Sequence, residues 1–272
     1  MTAHPTAETG VGAPERARIP ERTLRTDRWW LQPLLTVAGL SAWVLYAVVR
    51  TATQRAYFVE KYDYLSPFSS PCVSSSCAPG ARDFGTWFGH FPPFIPFAIL
   101  ILPFLLGFRL TCYYYRKAYY RSFWLSPPAC AVPEPHARYT GETRFPLIFQ
   151  NVHRYFFYAA LVVSLVNSYD AVRAFHGGDG GFGIGLGSVI ILVNVVLLWA
   201  YTLSCHSCRH ITGGRVRNFS HHPLRYRAWT VVSKLNVRHM QLAWTTLGTL
   251  MLTDGYIALV SAGAFNDLRI VN

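Results

Sequence analysis

The sequence predicts an all-α fold: a polytopic membrane protein built as a five-transmembrane-helix bundle, with its N-terminus in the cytoplasm and its C-terminus outside. Three observations carry that prediction. Of the 272 residues, 51% are apolar and only 14% charged, against about 25% charged in a soluble domain. The apolar residues gather in blocks of about 20, long enough to cross a bilayer at ~1.5 Å rise per residue. The 25 Lys and Arg, set against 13 acids, lie mostly between the blocks. Such a basic balance usually points to nucleic acid, but that distribution points to lipid and to membrane topology, so no nucleic-acid role is expected.

The blocks run roughly from Leu31 to Val49, Phe91 to Cys112, His153 to Tyr169, Ser188 to Cys205 and Met240 to Val260. The third is short and broken by Ser164 and Asn167. Residues 1–30 are polar, rich in Pro, Glu and Arg, with no apolar stretch of signal-peptide type, and read as a disordered basic cytoplasmic tail. Residues 31–265 then form the membrane domain, with an outer loop at 51–90 and inner loops at 113–152 and 206–238, and residues 266–272 form an outer tail. Lys and Arg number 19 in the tail and the two presumptive inner segments, against six in the outer ones. Short cytoplasmic loops hold the basic excess, which sets the orientation and an inner (cytoplasmic) membrane location. The basic face suits anionic lipid or an acidic soluble partner.

Topology sorts the cysteines. Cys72 and Cys77, in PCVSSSC, fall on the oxidising side and predict a disulfide, with two free thiols as the alternative. Cys112, Cys130, Cys205 and Cys208 fall on the reducing side, where metal binding or plain burial is expected. Cys112 and Cys205 end the second and fourth blocks, and His153 and His239 begin the third and fifth. Counted from the outer ends, the four lie about 24 to 32 Å deep at ~1.5 Å per residue. Four helices thus bring two thiols and two imidazoles to one level.

Two Cys and two His can hold a tetrahedral zinc or a Rieske-type [2Fe-2S] cluster, with thiolates on one iron and neutral imidazoles on the other. Haem b held between His153 and His239 alone is the competing reading. Within SCHSCRH, Cys208, His206 and His210 are alternate ligands, and Cys205 is preferred over Cys208 because it follows the apolar run directly. Cys130, in a proline-rich loop, is expected to be unligated. His4, His90, His136, His176, His221 and His222 lie in tails or loops and read as solvated.

With HRYFFY at His153, SCHSCRH and VRHMQLAW at His239, residues 30 to 265 resemble the membrane-anchor subunit of an actinobacterial succinate dehydrogenase, the cytochrome b-like, SdhC-type anchor of mycobacteria. The resemblance to the haem-free type implies a Rieske-type [2Fe-2S] cluster held by Cys112, His153, Cys205 and His239. It implies flavoprotein and iron–sulfur partner subunits, electron delivery to a quinone (menaquinone or ubiquinone), and a higher oligomer of the complex. The chain would not oxidise succinate itself. Polar side chains inside a membrane mark candidates for holding the quinone. These are Asp254 and Tyr256 in the fifth block and Trp87 before the second, with Asn167 and Asp170 nearby and an inner site at Tyr201 and Trp244 as the alternative. The outer loop could cover such a pocket. The glycine run near residue 180 reads as a turn, and no internal repeat, phosphate loop or H-E-x-x-H motif stands out.

Overall fold

The computed structural model describes residues 26–71, 73, 92, 94–132, 135, 143–145, 147–178 and 180–271. Two compact units make up the chain, residues 1–39 with 117–139 and residues 40–116 with 140–272. In the first, Tyr119, Tyr120 and Trp124 form an aromatic cluster with ring centroids 5.7 to 6.0 Å apart, and Cys130 is an exposed free thiol.

Eight helices are described: α1 Leu31–Thr53, α2 Leu102–Leu110, α3 Tyr113–Phe123, α4 His153–Arg173, α5 Leu186–Leu203, α6 His206–Gly213, α7 Pro223–Asn236 and α8 His239–Ser261. Leu, Val, Ile and Ala make up most of α1 and α5, with Pro33 confined to the first turn of α1, where its missing N–H costs little. Pro223 opens α7 at a position where its missing N–H costs nothing. Leu45, Val162, Leu165, Val193, Val196 and Leu252 stay exposed, an outward apolar surface suited to lipid.

By length and apolarity α1, α5 and Ile148–Arg173 can cross a membrane, and a fourth span arises if Ala98–Leu110 and Tyr113–Phe123, bent by 81°, are one broken span. The sequence blocks predict five. The last of them, α8, has 23 residues, but Gln241, Asp254 and a series of threonines leave it outside the apolar set among the described residues. The inner loops of the sequence reading contain α3, α6 and α7. The fold is mostly helical but not wholly so. β1 (Phe58–Val59) pairs antiparallel with β2 (Tyr64–Leu65), Phe58 opposite Leu65, and β3 (Ile184–Gly185) pairs antiparallel with β4 (Arg269–Val271), Ile184 opposite Val271.

Within the second unit, α2 packs on α4, α4 on α5, and α5 on α8. Gly107 permits the first of these contacts, since a Cβ there would overlap the Phe156 ring. At the end where α4 and α8 finish, Val59, Tyr62 and Tyr64 of the β1–β2 ribbon join Ala171, Ile191, Val195, Ile257 and Val260 in one apolar cluster. Polar groups lock this end. Asp254 accepts from Arg50 Nε at 2.6 Å, Arg50 Nη2 at 3.1 Å, Tyr46 at 2.6 Å and Ser66 at 2.5 Å. Asp267 accepts from Tyr64 at 2.8 Å, Tyr256 at 2.6 Å and the Gly187 amide at 2.9 Å. Burial, with Asp267 as partner, raises the Tyr64 phenol above its ordinary value and keeps it a donor.

Candidate metal centre

The opposite end of the same helices gathers sulfur and imidazole. Cys112 lies in the break between α2 and α3, His153 opens α4, Cys205 caps α6 just beyond α5, and His239 opens α8. Cys112 Sγ is 3.3 Å from His239 Nε2, and Cys205 Sγ is 3.0 Å from His153 Nε2. Both thiols are buried, with 3% and 1% of the residue exposed.

The second nitrogen of each ring is also held. His153 Nδ1 is 2.7 Å from Thr111 Oγ1, and His239 Nδ1 is 2.7 Å from Ser204 Oγ. Each hydroxyl has one hydrogen and gives it to a carbonyl, Thr111 to Gly107 at 2.6 Å and Ser204 to Tyr201 at 2.7 Å. The hydroxyl oxygens therefore accept from the rings. Both imidazoles become Nδ1–H tautomers, with the Nε2 lone pair turned toward sulfur. Phe108 stacks on His153 at 5.2 Å and 3°, and Tyr201 stacks on His239 at 5.0 Å and 12°. These two aromatics meet edge-on at 5.5 Å.

This arrangement is a repeat. Phe108-Arg109-Leu110-Thr111-Cys112 and Tyr201-Thr202-Leu203-Ser204-Cys205 share the order aromatic, any residue, Leu, hydroxyl, Cys. On each segment the aromatic and the hydroxyl, three apart on a helix end, hold one histidine between them, while the thiol one residue further on meets the other histidine. Asn151-Val152 directly precedes His153, whereas Arg238 separates Asn236-Val237 from His239, and Asn236 ties α7 to the site by donating to the Ser204 carbonyl at 2.7 Å. The repeat was available in the sequence, but its two copies lie 93 positions apart and are five residues long.

At 3.3 and 3.0 Å each thiol is in hydrogen-bond contact with an imidazole Nε2. Among the described residues no three His, Cys, Asp or Glu side chains form a group able to hold an ion, so the donors stand as two pairs. Burial pushes the Cys205 thiol up to about 12, which keeps it a thiol at neutral pH in the absence of a bound cation.

Arg109 supplies a fixed positive charge beside the centre. It is buried, donates to Tyr115 at 2.7 Å and Thr246 at 3.2 Å, and lies over the rings of Tyr201, Trp43 and Tyr115 at 4.8 to 5.7 Å. Among the described residues no carboxylate pairs with it.

The other sequence candidates lie elsewhere or are already engaged. Cys208 is buried in α6, and burial raises its thiol above the ordinary value, but among the described residues it meets neither histidine. His206 is exposed, and His210 faces Arg154 at 2.7 Å. Asp254 and Tyr256 belong to the closed networks at the far end, and the Trp244 indole donates to Tyr114. Cys72, Cys77 and Trp87 lie outside the described residues.

The family model of the actinobacterial succinate dehydrogenase subunit SdhC matches residues 31–263. The chain belongs to this family. Among solved structures it is similar to a chain of the Mycobacterium smegmatis Sdh1 complex in the apo form, with 67% identity, a TM-score of 0.87, and coverage of 97% of this chain and 99% of that one. No curated protein matches. As an SdhC subunit the chain is part of a succinate dehydrogenase, a multi-pass membrane protein whose complex includes further subunits.

Proposed function

We propose that this SdhC chain is the membrane-anchor and electron-transfer subunit of the complex, in which Cys112, His153, Cys205 and His239 hold a Rieske-type [2Fe-2S] cluster between the iron–sulfur subunit and quinone. The convergence of two buried thiols and two oriented imidazoles from four helix ends carries the reading. Bound there, the cluster supplies reversible one-electron transfer, at a potential that imidazole ligation raises toward that of quinones. Thr111 and Ser204 orient the imidazoles and fix their tautomer, as partners of metal-ligating histidines commonly do. Phe108 and Tyr201 cover the ring faces and exclude water. Arg109 places positive charge where an electron arrives.

A haem b would need the two Nε2 atoms to face each other across an open slot, and each here faces a sulfur instead. The basic segments of α6 and α7, from Arg209 to Arg238, offer the iron–sulfur subunit a docking face on the cytoplasmic side of the inner membrane. Electron paramagnetic resonance of the reduced complex is expected to show an imidazole-ligated [2Fe-2S] signal. His153→Ala and His239→Ala are expected to remove it and to stop quinone reduction while succinate still reduces an artificial dye. A strong Soret band without that signal, or one zinc per chain without the extra iron, would refute the reading.

A further inference from the structure

Arg109, in the last turn of α2, is 8% exposed, and a guanidinium keeps its charge at any working pH. Its hydrogen bonds go to neutral acceptors: the Tyr115 hydroxyl at 2.7 Å, the Thr246 hydroxyl at 3.2 Å and the Ala243 carbonyl at 3.4 Å. Tyr115 in turn gives its hydrogen to that carbonyl at 2.7 Å. An isolated buried charge is costly, and the usual remedy is a carboxylate. Three rings take that place here, Tyr201, Trp43 and Tyr115 at 4.8, 5.6 and 5.7 Å from the guanidinium carbon, within the ~6 Å over which an aromatic face attracts a cation. Rings and hydroxyls stabilise the charge without cancelling it.

Tyr201 joins this cation to the centre. The ring 4.8 Å from the guanidinium carbon is the one stacked on His239 at 5.0 Å, so the charge lies no more than about 10 Å from that imidazole. The five-residue repeat shows that building the site does not require the charge. Where the first copy has Arg109 the second has Thr202, yet Tyr201 and Ser204 hold His239 just as Phe108 and Thr111 hold His153. The arginine is thus an addition to one of two otherwise equivalent scaffolds.

We propose that Arg109 sets the reduction potential of the centre: its uncancelled charge stabilises the reduced form, which carries one more electron, and so raises the potential. The assignment deepens the function proposed above and rests on it. In the step concerned, the iron–sulfur subunit gives up one electron and the centre gains it. Arg109 neither gives nor takes that electron and acts through its field alone. A unit charge about 10 Å away, at an effective dielectric constant of about 20, shifts a one-electron equilibrium by roughly tenfold, which is ~59 mV.

The test is a redox titration of the assembled complex, followed by the paramagnetic resonance signal of the centre. Arg109→Gln keeps hydrogen-bond donors and removes the charge, and is expected to lower the midpoint potential by about 59 mV, a tenfold change for one electron. Arg109→Lys keeps the charge and is expected to stay near the unmutated value. Thr246→Asp leaves the arginine in place and supplies the missing carboxylate at an acceptor position 3.2 Å from it; a fall like that of Arg109→Gln is expected. Unmoved potentials in Arg109→Gln and Thr246→Asp overturn the proposal. A potential in Arg109→Lys as low as in Arg109→Gln overturns it too, because shape and not charge would then be responsible. Where these variants do not assemble or do not hold the centre, the unmutated complex decides. With arginine carrying ¹³C in its guanidinium, the infrared difference between oxidised and reduced centre is expected to contain an isotope-sensitive guanidinium band, and absence of that band overturns the proposal. Failure of the function proposed above shows separately, as absence of the resonance signal from the unmutated complex, and takes this assignment with it.

Discussion

Thr111→Val exchanges a hydroxyl for a methyl of similar size and leaves the helix intact, because the Thr111 amide keeps its own 3.0 Å bond to the Gly107 carbonyl. What disappears is the acceptor 2.7 Å from His153 Nδ1. The ring then has a buried N–H with no partner, at a cost of about 1–3 kcal/mol. At 1.4 kcal/mol per tenfold, that is roughly 5- to 150-fold in metal affinity, which overlaps the 10- to 100-fold usual for partners of ligating histidines. The expected result is a cluster lost at chelator concentrations about 10- to 100-fold lower than in the unmutated complex, read as iron per chain and as resonance amplitude. Ser204→Ala should do the same through His239. If Thr111→Val holds its iron as tenaciously and shows the same spectrum, the hydroxyl does not support a ligand and the orientation argument fails.

Three further outcomes follow from the packing and the networks. Gly107→Ala forces a Cβ into the Phe156 ring, and overpacking of this kind costs about 1–3 kcal/mol; a lower melting temperature and a disturbed cluster signal are expected, because α2 carries Thr111 toward α4. Asp254→Asn leaves Arg50 without its charge partner, a loss of about 3–5 kcal/mol when such a pair is buried and somewhat less here, where Arg50 keeps 15% side-chain exposure; thermal melting should register it, and Arg50→Gln in the same chain should recover part of it. Cys205→Ser is expected to abolish the cluster, whereas Cys208→Ser is expected to keep it, which iron analysis of the two variants decides.

Much of the site could be read from the sequence because ligand chemistry is confined to few residue types. Cys112, His153, Cys205 and His239 stand where apolar blocks begin or end, and the 3.6-residue helix brings block ends to one level. Their supports were harder to find. Thr111 and Ser204 are ordinary helix-end residues until their hydroxyls are seen to give hydrogen to one carbonyl and accept from one ring. The ribbons β1–β2 and β3–β4 carry only two or three residues a strand, too short for a period-2 pattern to show. The segments assigned to inner loops form α6 and α7 because basic amphipathic stretches, opened by Cys205 at the N-cap of one and by Pro223 as the first helical residue of the other, gain their stability by packing on each other and on α5. Asp254 is a candidate in the sequence by the rule that acids inside a membrane are functional, and the partners that hold it are visible only in the fold.

Those partners separate two uses of buried polarity in one bundle. At the far end two acids are closely surrounded: Asp254 accepts four hydrogen bonds and Asp267 three, and a carboxylate so engaged has little left to offer a ligand without losing what holds the helices together. At the other end the polar groups are arranged the opposite way. The imidazoles turn Nε2 toward the buried thiols, the Trp43 Nε1–H has no acceptor among the described residues, and Arg109 has no acid to neutralise it among them. Groups left open in a low-dielectric interior are expensive, and a fold that closes its hydrogen bonds completely around Asp254 and Asp267 does not leave them so for want of partners. The closed end is the frame that keeps the four helix ends in register, and the open end is the one that holds the proposed ligand set.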